Sequence, residues 1–252
     1  MTVENLMTSA SDGFIVDWSR SFDGAYGLMD AYLGFFDAEG KETGHIDYTE
    51  SIPTRFSLGT LDATSSENLD YSISFKPNNY GNNTALSSPA ATAPSTGEVG
   101  APLAGGVAPS FLQRKDFLVD FLDVPVADIL VRKVFPGAIT VELLPLGLEN
   151  PRLKGAEAGP VTYEPWTFVT IVRDSTVLRE ILIDTLSGIR LTESFTVRIV
   201  NPRDSFREIL AITCHGLDLL SYSPFGTLYV GDHKHLEMEL TFKPARCDFI
   251  NS

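Results

Sequence analysis

The sequence predicts a mainly β protein, an antiparallel barrel or sandwich with one short helix and an acidic N-terminal extension. Three observations carry that prediction. Short runs rich in β-branched and aromatic residues alternate apolar with polar side chains, as a half-buried strand requires. Clusters of Gly, Pro, Asn and Asp separate those runs. The strand–helix alternation of a parallel sheet is missing.

Composition narrows the function classes. At 252 residues the chain can bury a sizeable core, and its 43% hydrophobic and 21% charged content are ordinary for a globular protein. The net charge of −14 is not ordinary. It argues against direct nucleic-acid binding, which needs clustered Lys and Arg, and against docking on an anionic membrane. The first residues lack a basic stretch followed by an apolar run, so no secretion signal is expected. No apolar run approaches the ~20 residues that span a bilayer, so no membrane insertion is expected. Cys214 and Cys247 have neither metal nor redox spacing, and are expected to be two free thiols of a chain made in a reducing cytoplasm. Asn82-Asn83-Thr84 matches a glycosylation sequon, which has no meaning without secretion.

Three regions follow in order. Residues 1–80 are the acidic extension; up to Ser110 there are 14 Asp and Glu against 4 Lys and Arg. Residues 14–18 read as a strand. Residues 25–36 place Leu28, Tyr32, Leu33 and Phe36 near one helical face, although two glycines weaken that helix. Residues 55–61 and 69–75 read as paired strands. Residues 81–110 are rich in Ala, Pro, Gly, Ser and Thr, a linker or arm that cannot build a core alone. A faint repeat links Gly59-Thr60-Leu61 and Phe75-Lys76-Pro77 with Gly226-Thr227-Leu228 and Phe242-Lys243-Pro244; the favoured reading is that alternating hairpins resemble one another, the alternative a partial duplication of one hairpin.

Residues 111–252 form the main β domain. Strands are expected over 115–122, 129–134 and 138–144, with Pro136-Gly137 breaking the last two apart. Residues 145–161 read as loop, and 166–172 as a β-branched and aromatic strand. Asp174 or Ser175 can cap a helix in which Val177, Leu178, Ile181, Leu182 and Leu186 recur at helical spacing. Strands follow over 194–200 and 206–214, with a turn at 201–204. A second hairpin comprises 227–230 and 235–243, and its last strand sets Leu236, Met238, Leu240 and Phe242 against His235, Glu237, Glu239, Thr241 and Lys243.

No catalytic constellation accompanies this pattern. There is no nucleophile elbow, no phosphate-cradling glycine loop and no zinc-protease helix motif. His233 and His235 share a strand face and read as surface residues rather than metal ligands. Cys214 and His215 diverge across a strand, which leaves them no nucleophile–base geometry. The many acids are explained by a solvated face. Neither cofactor nor metal nor enzymatic activity is expected.

From residue 115 onward the order of landmarks resembles the tail-tube proteins of contractile phages, a fold shared with the type VI secretion tube. The features that carry the resemblance are a hairpin broken at Phe135-Pro136-Gly137, the Trp166 strand, the helix at 175–186, the alternating Phe195–Ile199 strand, and the closing strands 208–215 and 236–242. Residues 1–110 have no counterpart in compact tube proteins, whereas baseplate proteins that start the tube are similar domains with added segments. The resemblance implies a non-enzymatic virion protein, assembled in the host cytoplasm into stacked hexameric rings. It also implies contacts with tail-tube, sheath or baseplate proteins, and DNA only as passing cargo. In such a ring the polar strand face lines the channel, which makes Asp120, Glu142, Glu237 and Glu239 the candidate lining. The alternatives are a carbohydrate- or protein-binding β-sandwich module and, less favoured, a hydrolase with an unrecognised acidic pair.

Overall fold

The computed structural model describes residues 2–8, 29–37, 42–77, 79–83, 110–121, 129–145, 156–172, 187, 194–225 and 237–250. In chain order the strands are β1 (Thr2–Leu6), β2 (Met29–Phe36), β3 (Glu42–Leu58), β4 (Leu61–Asp62), β5 (Asp70–Lys76) and β6 (Asn79–Asn83). There follow β7 (Phe117–Phe121), β8 (Ile129–Phe135), β9 (Ile139–Pro145), β10 (Ala156–Tyr163) and β11 (Trp166–Val172). The last five are β12 (Ser194–Asn201), β13 (Arg207–His215), β14 (Asp218–Phe225), β15 (Glu237–Lys243) and β16 (Arg246–Ile250). Every pairing is antiparallel, and no helix occurs among the described residues.

Three open sheets result. The seven-stranded sheet runs β1-β5-β3-β9-β10, with β2 and β6 also on β3; the five-stranded sheet runs β14-β15-β11-β8-β4; the four-stranded sheet runs β16-β13-β12-β7. None closes on itself among the described residues, which form a packed set of open sheets with no closed barrel.

The core lies where the four-stranded sheet meets the other two. On β15 the alternation read from sequence is realised: Met238, Leu240 and Phe242 are buried, while Glu237, Glu239 and Thr241 are only partly covered. Phe242 and Phe168 of the five-stranded sheet meet Phe121 and Phe195 of the four-stranded one, and Phe168 sits 4.8 Å from Phe195 in an edge-on pair. Trp166 stacks obliquely on the same Phe195 at 5.4 Å. The seven-stranded sheet joins this core through Phe56, whose ring lies 5.2 Å from Phe249 of β16.

Residues before and after the compositional boundary near residue 111 share sheets. Within β3, Arg55 and Phe56 pair with Thr140 and Ile139 of β9, and β4 pairs with β8. The Met7 amide donates to the Leu69 carbonyl at 2.7 Å, and the Leu112 amide donates to the Met7 carbonyl at 3.0 Å. Met7, Leu69 and Leu112 are all buried. The acidic first region thus contributes strands and core to the same body as the domain that follows.

Several expectations are corrected. Residues 29–36, read as the end of a weak helix, form β2. Ladder bonds to β3 outweigh a helical pattern that its glycines already weaken. The expected loop at 145–161 ends in β10, which pairs with β9 through a bulge between Ala158 and Val161. A Cβ at Gly159 would stand 2.9 Å from the Glu142 carbonyl oxygen, and Pro160 is tolerated because β10 is an edge strand. Cys214 and Cys247, expected as free thiols, form a disulfide. Strand β16 was hidden in a short mixed sequence. At the Pro136-Gly137 break, a Cβ on Gly137 would collide with the Glu164 carbonyl, so only glycine lets these segments approach. The strand expected at 14–18, the helix at 175–186, the strand at 227–230, His233, His235 and most of the 81–110 arm lie outside the described residues.

Candidate functional site

The four acids predicted from strand alternation fall on three sheets. Asp120 is on β7, Glu142 on β9, and Glu237 and Glu239 on β15. Each alternates with buried neighbours, so each points away from the core: Phe121 flanks Asp120, Val141 flanks Glu142, and Met238 separates the two glutamates. The helix expected to pack behind the apolar β15 residues lies outside the described residues; Phe121 and Phe168 fill that role for Phe242.

Direction separates the set. The inner face of the four-stranded sheet packs on the five-stranded sheet through Phe121 and Phe195, and on the seven-stranded sheet through Phe249. Glu237 and Glu239 therefore leave the core on one side of the sandwich and Asp120 on the other. Glu142 leaves on the outward face of the seven-stranded sheet, in the layer that also holds β15.

Cations then neutralise part of the charge. On the Asp120 side, Arg198 Nη2 lies 3.0 Å from Asp120 Oδ2, and Arg198 Nε lies 3.5 Å from Glu208 Oε2. On the other side Arg132 pairs with Glu237. That contact has a local cause. Between Val131 and Lys133 the β8 ladder skips a residue against Val169 and Thr170 of β11, and the skipped residue is Arg132. Such a bulge re-aims its side chain, here across β11 to β15. Glu142 and Glu239 have no cationic partner among the described residues. Sequence alternation found the acids, but the bulge that partners Glu237 leaves no period-two signal.

A second polar group sits at the β4 edge. Lys133 Nζ is 2.7 Å from Asp62 Oδ2 and 5.7 Å from the centre of the Phe135 ring. Burial alone would raise the Asp62 pKa. Hydrogen bonds from Lys133 and from the Thr64 hydroxyl and amide, with the Lys133 charge, outweigh it and hold the group at about 2. This arrangement locks the short strand β4 to β8. The Thr64 hydroxyl and Lys133 are both engaged with the Asp62 carboxylate. Among the described residues no group of three His, Cys, Asp or Glu side chains could hold a metal ion.

The outward face of the four-stranded sheet is buried at its centre, where Thr196, Ala211 and Thr213 lie, and exposed at its edges. Leu118, Arg198, Ala211 and Ile250 occupy one register row across its four strands. Leu118 is 48% and Ile250 49% exposed, each on an edge strand. On the five-stranded sheet the edge strand β14 likewise exposes Leu220 and Tyr222.

No protein-family model and no curated protein matches this sequence. Among solved structures the chain is similar to one from the baseplate of the anti-feeding prophage, at 15% identity and a TM-score of 0.37, over 54% of this chain and 92% of that one. It is similar to a chain from the sheath–tube complex of an extracellular contractile injection system, at 14% identity and a TM-score of 0.34, over 52% of this chain and 93% of that one. It is also similar to the Hcp1 protein of an E. coli pathovar, at 13% identity and a TM-score of 0.31, over 48% of this chain and 73% of that one. The described residues form an all-antiparallel β fold, and its structural neighbours are components of contractile injection systems and a type VI secretion protein.

Proposed function

We propose that this protein is a structural subunit of a phage-tail-like particle, a tube or baseplate ring assembled from hexamers stacked around a channel for DNA. The observation that carries the reading is the set of open sheet edges. Among the described residues strands β7, β14 and β16 end their sheets, and each exposes at least one large apolar side chain. An edge of this kind is a template for another strand, and Pro224 in β14 and the charges of Arg246 and Asp248 in β16 blunt it only in part. Repetition of one heterologous contact about a closing rotation pairs one edge of each subunit with another edge of the next and yields a ring. The order of sequence landmarks from residue 115 points to the same assembly, with sheath, tube or baseplate proteins as neighbours and the virion tail as its location.

In this reading the channel is lined by one outward face of the sandwich. The face carrying Glu237 and Glu239, with Glu142 in the same layer, supplies the lining, where acids would keep passing DNA from adhering. Asp120 then lies on the opposite side, held by Arg198, at a contact with other subunits or other proteins. Arg132 reduces the net charge of the lining, so Glu142 and Glu239 carry most of its repulsion.

The test is mass in solution as concentration rises, with the Glu142→Gln, Glu237→Gln and Glu239→Gln triple variant alongside the unaltered chain. Both are expected to form the same ring, and rings of the variant are expected to retain double-stranded DNA that unaltered rings release. A monomeric mass for the unaltered chain at every concentration would contradict the assembly. Equal DNA retention by the two would contradict the lining.

A further inference from the structure

Strand β16 is built as a separable piece. It is the last described strand, five residues long, and among the described residues its ladder partner is β13 alone. The chain leaves β15 after Lys243 and enters β16 at Arg246. Pro244 and Ala245 alone therefore carry it from the five-stranded sheet to the four-stranded one. The Ala245 amide donates to the His215 carbonyl at 2.9 Å, which folds the connection back at once. An edge strand on so short a hinge is the architecture in which a strand passes from one copy to another.

What holds β16 in place is specific to its sequence. On the inner face Cys247 stands opposite Cys214 of β13 and is bonded to it. Two residues on, Phe249 sets its ring edge-on to Phe56 at 5.2 Å. On the outer face Asp248 Oδ2 lies 3.2 Å from His215 Nε2. The site that receives β16 does not need β16 in order to form, because β13 keeps its whole ladder with β12 when β16 leaves. Departure of this strand is a local opening at one edge rather than a loss of the fold.

The bridge decides whether β16 can leave. Closed, it ties the strand to the β13 of its own chain. A dithiol reductant opens it. One thiolate of the dithiol attacks a sulfur of the bridge, and the second thiol then displaces the mixed disulfide. The dithiol departs as its cyclic disulfide, and Cys214 and Cys247 each take up a proton. Both sulfurs belong to buried residues, so attack follows local opening at the edge. The vacated edge of β13 is then complementary to one known sequence, that of β16. A β16 from a second copy, in the same register, returns Cys247 to Cys214 and Phe249 to Phe56.

We propose that β16 is an exchangeable strand latched by the Cys214–Cys247 disulfide: once reduced, the β16 of one copy docks on the β13 of a second. Transfer of the two electrons back to a small disulfide then joins the copies covalently. The exchanged form makes the same contacts as the closed one, so its cost is that of association. The exchange does not rest on the ring reading, which needs β16 only as a closed sheet edge.

Two full-length variants of different tag length test the exchange, Cys214→Ser and Cys247→Ser, mixed in equal amounts with dithiothreitol and then oxidised with glutathione disulfide. Neither can close its own bridge, and Cys247 of the first meets Cys214 of the second only if the strand has passed between chains. Non-reducing electrophoresis is expected to show the bridged heterodimer exceeding each homodimer at least about tenfold, against about twofold for random thiol pairing. The random ratio, or no dimer, would overturn the exchange. Unaltered chains supply a second reading should the variants not fold. Heavy-nitrogen and ordinary chains are mixed, reduced under native conditions and reoxidised, and the bridged peptides are weighed. About half of the Cys214–Cys247 bridges are expected to be of mixed isotope at full exchange. Bridges of a single isotope alone would overturn the proposal, and mixed bridges formed without dithiothreitol would overturn the latch.

Discussion

Cys214 on β13 and Cys247 on β16 are direct register partners, and their sulfurs are bonded across the two strands. Strand β16 is the edge of the four-stranded sheet, with β13 its one neighbour in that sheet. The bridge therefore fixes an edge strand that ladder hydrogen bonds alone would hold weakly. It closes a loop with a sequence separation of 33, which spans β14 and β15. For a loop of that length the unfolded chain loses conformational freedom equivalent to about 3–4 kcal/mol. The Cys247→Ser variant is expected to lose stability of that order in urea unfolding, and thiol titration of the unreduced, unfolded protein is expected to find no free thiol.

The aromatic contact between the two main sheets sets a second expectation. Phe168 is fully buried and touches Phe121, Phe195 and Phe242. Phe168→Ala removes all three ring contacts and leaves a cavity that rigid strands close poorly, at a cost of about 3–5 kcal/mol. Leu118→Ala, on the exposed face of the neighbouring sheet, is expected to change the stability of the isolated subunit by under about 0.5 kcal/mol. Chemical denaturation of both variants at a concentration below assembly measures the difference.

Asp62 makes stability depend on pH in a defined window. Its carboxyl has a folded pKa of about 2 against an ordinary value of 3.8. A depressed carboxylate pKa stabilises the folded chain above the unfolded value, and that contribution fades as pH falls from about 4 towards 2. Asp62→Asn is expected to cost about 1–2 kcal/mol at neutral pH. It should also flatten this part of the acid limb in a melting series between pH 5 and 2.

Shared sheets predict that the two ends of the chain fold together. A fragment of residues 111–252 loses β3 from beside β9, β4 from beside β8, and Met7 and Leu69 from around Leu112. Calorimetry of this fragment is expected to show no cooperative transition. A sharp transition near that of the full chain would mean that the first 110 residues are an appendage.

Strands with strict alternation were legible in the sequence because a period of two has one structural meaning. Residues 166–172 coincide with β11, and the alternation of Glu237, Glu239 and Thr241 against Met238, Leu240 and Phe242 holds in β15. What escaped has physical reasons. Strand β2 carries apolar residues that satisfy helical and strand patterns alike, and only its partner β3 decides between them. Strand β10 contains Gly159-Pro160, which reads as a loop until its place at a sheet edge is known. The pairing of β3 with β9 joins residues more than eighty positions apart, and local patterning says nothing about such contacts. The candidate site was legible to the same extent. Alternation showed that the four acids leave the core, whereas the side of the sandwich on which each emerges depends on how three sheets stack. The bulge that aims Arg132 at Glu237 is likewise a property of paired strands rather than of either one.

The central claim is that open sheet edges are satisfied by copies of the same chain. Electron microscopy of the purified full-length protein at high concentration tests it most directly. The account predicts closed rings with sixfold symmetry that stack, with Glu237 and Glu239 facing the central opening. Isolated single subunits at every concentration, or rings that turn β15 to the outside, would contradict it.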